Sequence, residues 1–206
     1  MIAAAVPLVI LGNALVVLLI PWFAHFQYAL PGFPDDPFGL TGGDRSALAA
    51  TGIRSIWPIG PGKELLVDSR LPDGSVAFGP VEIRHMDDVR GLVQACFMLW
   101  LVALAAGGAA AFRLNRTGRV EALGRGLRIG AMITIASMAL IGLAMLVAFE
   151  PVFDGFHEIF FEPGTWSFGD EETLRRLYPD AFWGIASGLL AAIALGQAVL
   201  LWLKAK

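Results

Sequence analysis

A single cysteine, Cys96, occurs among the 206 residues, and it lies inside an apolar run. That excludes a disulfide framework and a thiolate metal cluster within one chain. Burial in a membrane span, the placement expected for Cys96, also argues against a reactive thiolate. Charge is scarce as well: Asp, Glu, Lys and Arg make up 16% of the chain, against roughly 25% in soluble globular domains. The formal net charge of −3 excludes a basic nucleic-acid binder in any simple form. There is no internal repeat and no low-complexity tract. Also missing are the G-x-S-x-G of a serine hydrolase and the H-E-x-x-H or H-x-x-E-H of zinc enzymes. Ser46, Ser55, Ser69, Ser75 and Ser167 stand outside any nucleophile motif.

What is present is apolar. Hydrophobic residues are 56% of the chain and the mean hydropathy is +0.66, which points to one membrane unit. The expected architecture is an α-helical integral membrane protein. It has four transmembrane helices, at residues 2–23, 92–112, 129–149 and 181–203, and an extracytoplasmic mixed α/β cap. Each run approaches the about 20 residues needed to cross a hydrocarbon core of about 30 Å. No Lys or Arg precedes the first run, and it exceeds a signal peptide's apolar region of about 7–15 residues. A retained span is therefore expected.

Residues 24–90 and 150–180 supply the cap. Asp44 is expected to cap a helix running to about Trp57. Residues 64–68 and 75–78 flank L-P-D-G as a hairpin or tight turn. Asp87 or Asp88 is expected to cap the second span. A short helix is expected from near Gly169 or Asp170 to before Pro179.

Five arginines (Arg113, Arg116, Arg119, Arg125 and Arg128) crowd the link between spans two and three. Basic residues of short loops mark the cytoplasmic side, and Lys204 and Lys206 agree. Both termini are then cytoplasmic, and the arginines meet anionic lipid head groups. The outer segments hold eight Lys or Arg and seventeen Asp or Glu, and all three histidines.

The histidines are the candidate chemistry. His25, in W-F-A-H-F-Q-Y, reads as part of an aromatic interface belt. His85 precedes span two. His157 follows span three, in a helix expected from Pro151 that sets Phe153, Phe156, His157 and Phe160 on one face, with Phe161 on another. Imidazole titrates near neutrality, which suits proton transfer. The surrounding aromatics suggest an apolar chamber for acyl chains, where a polar group acts at low dielectric. A metal site on His85, His157, Asp87, Asp88 and Glu158 is the rival use of the same residues, and a non-catalytic membrane accessory protein is a third.

E-I-R-H-M-D-D-V at 82–89 and F-D-G-F-H-E-I-F-F-E-P-G-T-W-S-F at 153–168, placed in order between the right spans, resemble the bacterial lipoprotein intramolecular transacylases. The resemblance implies a multi-pass protein of the bacterial cell membrane acting on its outer face, and a monomer is expected. It implies a diacylated lipoprotein substrate. The sn-2 acyl chain of the S-diacylglyceryl group moves to the α-amino group of the N-terminal cysteine, leaving the lyso-form. It also implies His85 and His157 as the catalytic pair, with no metal and no cofactor. The reacting atoms close an eight-membered ring within one molecule, so no protein nucleophile is required. A base for an amine of pKa about 7.7–8.0 and an acid for the glyceryl oxygen are required. Phe153, Phe156, Phe160, Trp166, Tyr178 and Trp57 are the expected substrate-binding aromatics that fold that ring. Which histidine is base stays open. So does the oxyanion donor, with Arg84, an imidazolium or a backbone amide available. Asp87 or Asp88 either orients His85 or caps its helix. A metal-dependent membrane hydrolase and the accessory protein remain the alternatives.

Overall fold

The structure is a computed structural model that describes residues 1–205. Lys206, counted with Lys204 as a cytoplasmic marker, lies outside the described residues. The helices are α1 (Ile2–Leu18), α2 (Trp22–Tyr28), α3 (Gly42–Ser55), α4 (Glu64–Val67), α5 (Pro80–Arg116), α6 (Val120–Val147), α7 (Phe149–Phe160), α8 (Thr173–Leu177) and α9 (Asp180–Lys204). Among the described residues the strand pairing is one isolated antiparallel bridge, Arg70 to Val76. The mixed α/β cap is therefore corrected to helices and irregular chain. Glu64–Val67 forms a helical turn that buries Leu66 fully, instead of a strand. The L-P-D-G turn itself is present. Leu71 N–H donates to the Ser75 carbonyl at 2.9 Å, and Gly74 takes φ +84°, which favours glycine.

α5, α6 and α9 are long and apolar enough to cross a membrane, and α1 with α2 adds a fourth if the bent pair is one span. This is a multi-pass membrane protein. The first span is not the continuous helix expected over 2–23, since α1 and α2 meet at 65°. Pro21 is the cause: its ring opposes the carbonyl of Val17, so the helix stops at Leu18 and restarts at Trp22. The same device separates α6 from α7, where Pro151 opposes the carbonyl of Val147 and the break falls at Ala148.

The chain folds as two compact units. The first comprises Met1–Val16, Cys96–Val152 and Gly188–Lys206. Its core packs Ile2, Val6 and Ile10 of α1 with Ala110, Ala131, Met138, Ala194 and Ala198. Small residues let these helices approach: a Cβ on Gly130 would lie 2.5 Å from Val6 Cβ, and one on Gly12 2.1 Å from Trp100 Cδ1. A polar relay crosses the same interior. Trp100 Nε1 donates to Asn13 Oδ1 at 3.1 Å, and Asn13 Nδ2 donates to Gln197 Oε1 at 2.8 Å. Only 11% of the most apolar window of α5 is buried by protein, which leaves its apolar surface to lipid. Cys96 belongs to that surface: it is exposed, not buried as expected. The expectation fails because lipid, not protein, covers most apolar side chains of such a helix.

The second unit comprises Val17–Ala95 and Phe153–Ser187. Its organising strip is residues 172–178, tied down from several sides. Buried Arg45 donates to the Arg176 carbonyl through Nε and Nη2, and to the Pro34 carbonyl through Nη1 at 2.6 Å. Arg176 holds the fully buried Asp36 carboxylate with both Nε and Nη2. Glu82 accepts from the Leu174 amide at 2.6 Å and the Gly79 amide at 2.7 Å. The second bond caps α5 at its first turn. Asp87 and Asp88 therefore lie inside α5 and cap nothing, because the helix starts at Pro80, where a proline's missing N–H costs no bond. At α3, Thr41 is the N-cap, and Asp44 completes a capping box with it instead of capping alone.

Gly130→Leu is expected to lower the thermal unfolding midpoint in detergent markedly, because overpacking costs about 1–3 kcal/mol. Gly142→Leu, on the same helix but with open space beside it, is the control and is expected to change little. Equal effects at both positions would contradict the packing described for α1 and α6.

Candidate active site

His85 lies in the second turn of α5, and His157 in the last turn of α7. α5 has 37 residues, about 56 Å at 1.5 Å each, so it outreaches a core of about 30 Å. Its first three turns carry Glu82, Arg84, Asp87, Asp88 and Arg90 and precede the apolar stretch from residue 92. His85 thus sits outside the membrane-spanning segment. Both imidazoles are buried, each 8% exposed. Their ring centroids are 6.1 Å apart with planes 24° from parallel.

Aromatic rings fill the space around the pair. Phe161 bridges them, with centroids 5.0 Å from His85 and 5.5 Å from His157. Phe168 stands edge-on to His85 at 5.4 Å. Phe153, at 4.1 Å, and Trp166, at 4.9 Å, pack on His157. Phe156 meets His157 edge-on at 5.4 Å and lies tilted against Phe160 at 5.0 Å. The expected one-sided stripe therefore divides. His157 points inward, while Phe156 and Phe160 stay 45% and 50% exposed.

Local sequence produces this placement. α7 ends at Phe160, so Phe161 escapes the helical period that assigned it to another face. The next four residues, E-P-G-T, form a type II turn, with Pro163 at its second position and Gly164 at φ +81°. Thr165 N–H closes it on the Glu162 carbonyl at 3.2 Å. That reversal brings Trp166 back over His157.

Polar contacts distinguish the two histidines. Nδ1 of His157 lies 2.7 Å from the Phe153 carbonyl. A carbonyl only accepts, so Nδ1 carries the hydrogen and Nε2 of the neutral ring keeps its lone pair. Nδ1 of His85 is buried without a hydrogen-bond partner, and so is Nε1 of Trp166. Burial lowers the His85 pKa, and the neighbouring His157 charge lowers it further. Burial also lowers that of His157, against the opposing pull of the Phe153 carbonyl and Asp154. Both rings are neutral at neutral pH, and His157 is the better base.

The other candidates fall elsewhere. Arg84 pairs with Glu162 on the surface. Asp87 pairs with Lys63 at 2.7 Å, and Asp88 is exposed; no hydrogen bond joins either to His85. Tyr178 donates to the Ala49 carbonyl at 2.9 Å, and a Cβ on Gly52 would lie 2.1 Å from its hydroxyl. Its ring is linked to His157 through Trp183 and Phe153. Trp57 lines an open hollow with Leu19, Ile20, Arg54, Ile59 and Leu65. His25 meets Ser46 at 2.7 Å. Among the described residues no three His, Cys, Asp or Glu side chains group as metal ligands. Phe161 and Phe168 are the site residues that spacing alone did not single out. F-H-x-x-F-F, ending on Phe161, and W-x-F, ending on Phe168, were their traces in the sequence.

A sequence profile of the family described as lipoprotein intramolecular transacylase Lit matches residues 63–183. An uncharacterized protein of Aquifex aeolicus is 27% identical over 161 residues, 78% of this chain and 71% of that protein. The in meso structure of the membrane integral lipoprotein intramolecular transacylase Lit from Bacillus cereus has a TM-score of 0.79 at 17% identity. It covers 98% of this chain and 89% of that one. A second structure of the Bacillus cereus protein, bearing a histidine-to-alanine substitution, has a TM-score of 0.75 at 16% identity, over 98% of this chain and 87% of that one. These structures share the fold.

The histidine burial has a consequence for stability. Below the ordinary value of 6.5 the unfolded chain takes up a proton that folded His85 refuses until about 4. Stability from this group is therefore complete above about 6.5 and is lost as pH falls toward about 4. Thermal unfolding in detergent at pH 7 and pH 5 tests this against His85→Phe. The variant is expected to lose less on acidification than the wild type. Glu82, whose carboxyl burial pushes upward, is common to both proteins and drops out of the comparison. Equal losses would contradict the assignment.

Proposed function

The chain belongs to the lipoprotein intramolecular transacylase family, and from that premise we propose how its two histidines carry out the reaction. The protein is a transacylase of lipoproteins. The substrate in this reading is a lipoprotein whose N-terminal cysteine carries an S-diacylglyceryl group. The amine attacks the carbonyl carbon of the sn-2 ester, the C–O bond to glycerol breaks, and an amide replaces the ester. Donor and acceptor share one molecule, so the protein must fold that molecule and move one proton.

The observation that carries the reading is the unlike state of two adjacent imidazoles. Nδ1 of His157 is committed to the Phe153 carbonyl, so Nε2 is the free base. It takes the proton that the amine loses on attack. The resulting imidazolium is favoured by the same carbonyl and by its place in the last turn of α7, where a helix end attracts positive charge. It then returns the proton to the departing glyceryl oxygen. His85, more deeply disfavoured as a cation, stays neutral and orients the reacting groups by hydrogen bonding. Phe153, Phe156, Phe160 and Trp166 line the path of the acyl chains. Tyr178 positions Trp183 and Phe153 from behind, and Trp57 lines a hollow of its own. The Arg-rich link and Lys204 favour cytoplasmic termini, which sets the site on the outer face. The protein acts as a monomer among membrane lipids, on a diacylated lipoprotein.

Mass spectrometry of a lipoprotein N-terminal peptide tests this, in a host whose lipoproteins are diacylated. The wild type is expected to yield an N-acylated, monoacylglyceryl peptide. His157→Ala and His85→Ala are expected to lose about 10²-fold or more of that conversion. Unchanged diacyl peptide with folded wild type would refute the reading.

The pH profile gives a second test. With both histidines already neutral above 6.5, the substrate amine governs the rate. kcat/KM is expected to rise with pH to about 7.7–8.0 and level there. A lone inflection near 6.5 would show instead that an ordinary histidine limits the rate.

A further inference from the structure

The tetrahedral intermediate of the proposed reaction bears an oxyanion that needs a hydrogen-bond donor, and the group engaged there is not yet assigned. Arg84 is exposed and paired with Glu162, so it is committed elsewhere. The described residues hold a donor better placed. Nε1 of Trp166 is buried with no hydrogen-bond partner, while its ring packs 4.9 Å from the His157 ring centroid. An indole N–H is a donor and nothing else, and a buried donor left unpaired is rare enough to require a reason. Of the other buried orphans, those on Gln27 and Arg90 belong to residues with no ring contact to either histidine, and His85 Nδ1 donates in only one tautomer of a neutral ring, whereas the indole N–H always donates.

We propose that the Trp166 indole N–H is the oxyanion donor of the acyl transfer. The inference rests on the transacylase reading and adds a catalytic residue to it. As the amine nitrogen bonds to the acyl carbon, the carbonyl π pair moves onto oxygen. Trp166 Nε1–H then gains a charged acceptor beside His157, whose Nε2 holds the amine's proton. When the bond to the glyceryl oxygen breaks, the carbonyl re-forms and the proton passes to that oxygen, so atoms and charge balance. The E-P-G-T turn contributes to the geometry by reversing the chain just before residue 166. Such a donor acts only where charge develops, and it costs no reorganisation at the moment of reaction.

The test replaces the N–H while keeping the ring. Full-length protein carrying site-specifically incorporated benzothienylalanine at position 166, in which sulfur stands for N–H, is compared with wild type and Trp166→Phe. The probe is a synthetic S-diacylglyceryl-cysteinyl peptide in detergent. Both variants are expected to lose about 10²–10³-fold in kcat, with KM little changed and unfolding midpoints near that of the wild type. Wild-type kcat in either variant, or a loss confined to KM, would overturn the inference and leave the transacylase reading standing. A folded wild type that forms no N-acyl peptide would overturn both.

Discussion

The hydrogen bond from His157 Nδ1 to the Phe153 carbonyl is the constraint on which the rest of the site depends. It is a bond within one helix, between residues four apart, so it needs no distant partner. It fixes the tautomer, turns Nε2 toward chemistry, and holds the ring inward on α7. An imidazole without that bond would have no fixed tautomer. The break at Ala148 matters for the same reason. By interrupting α6, Pro151 starts a separate short helix whose facing need not follow that of the preceding span.

The second unit supports this arrangement with buried polar bonds, not with a large apolar core. Arg45, Glu82 and the Asp36 side chain are inside the protein, and each is satisfied by partners in or on the 172–178 segment. A buried arginine is tolerable only when its fork is filled, and carbonyls of Pro34 and Arg176 fill it, with Tyr28 and Phe33 beneath the guanidinium. Bonds of this kind hold an irregular segment in one conformation where helix packing alone would leave it several. The irregular stretch between α7 and α8 is where that matters most, because it carries Trp166 and Phe168.

Much of this was legible in the sequence. The helical period placed Phe153, Phe156, His157 and Phe160 together, and apolar runs located the spans that became α5, α6 and α9. His85 and His157 were paired by their similar distance from span ends and by the resemblance to the transacylases, and the structure brings their rings to 6.1 Å. What failed did so for local reasons. Asp87 and Asp88 resembled a cap because charge gives way to apolar residues there, yet a helix runs on past the membrane when Pro80 can start it and Glu82 can cap it. Residues 64–67 alternate poorly, and one helical turn buries Leu66 better than a strand edge. Pro21 falls inside the first apolar run, and hydropathy alone does not show that it breaks the helix. Phe161 was misplaced because periodicity describes a helix only up to its last residue.

Orphaned polar atoms run against the ordinary economy of a protein interior, where an unpaired buried donor or acceptor costs about 1–3 kcal/mol. Here two of them, on His85 and Trp166, belong to one aromatic cluster around a third ring, His157, whose own Nδ1 is paired. Their cost is set against the dense bonding of residues 172–178 in the same unit. Local rules are most often broken at functional sites and offset elsewhere. A reaction whose electrophile and nucleophile arrive in one molecule asks the protein for little covalent chemistry. It asks instead for buried polar atoms that no protein group has taken up, in an enclosure of Phe153, Phe161, Trp166 and Phe168.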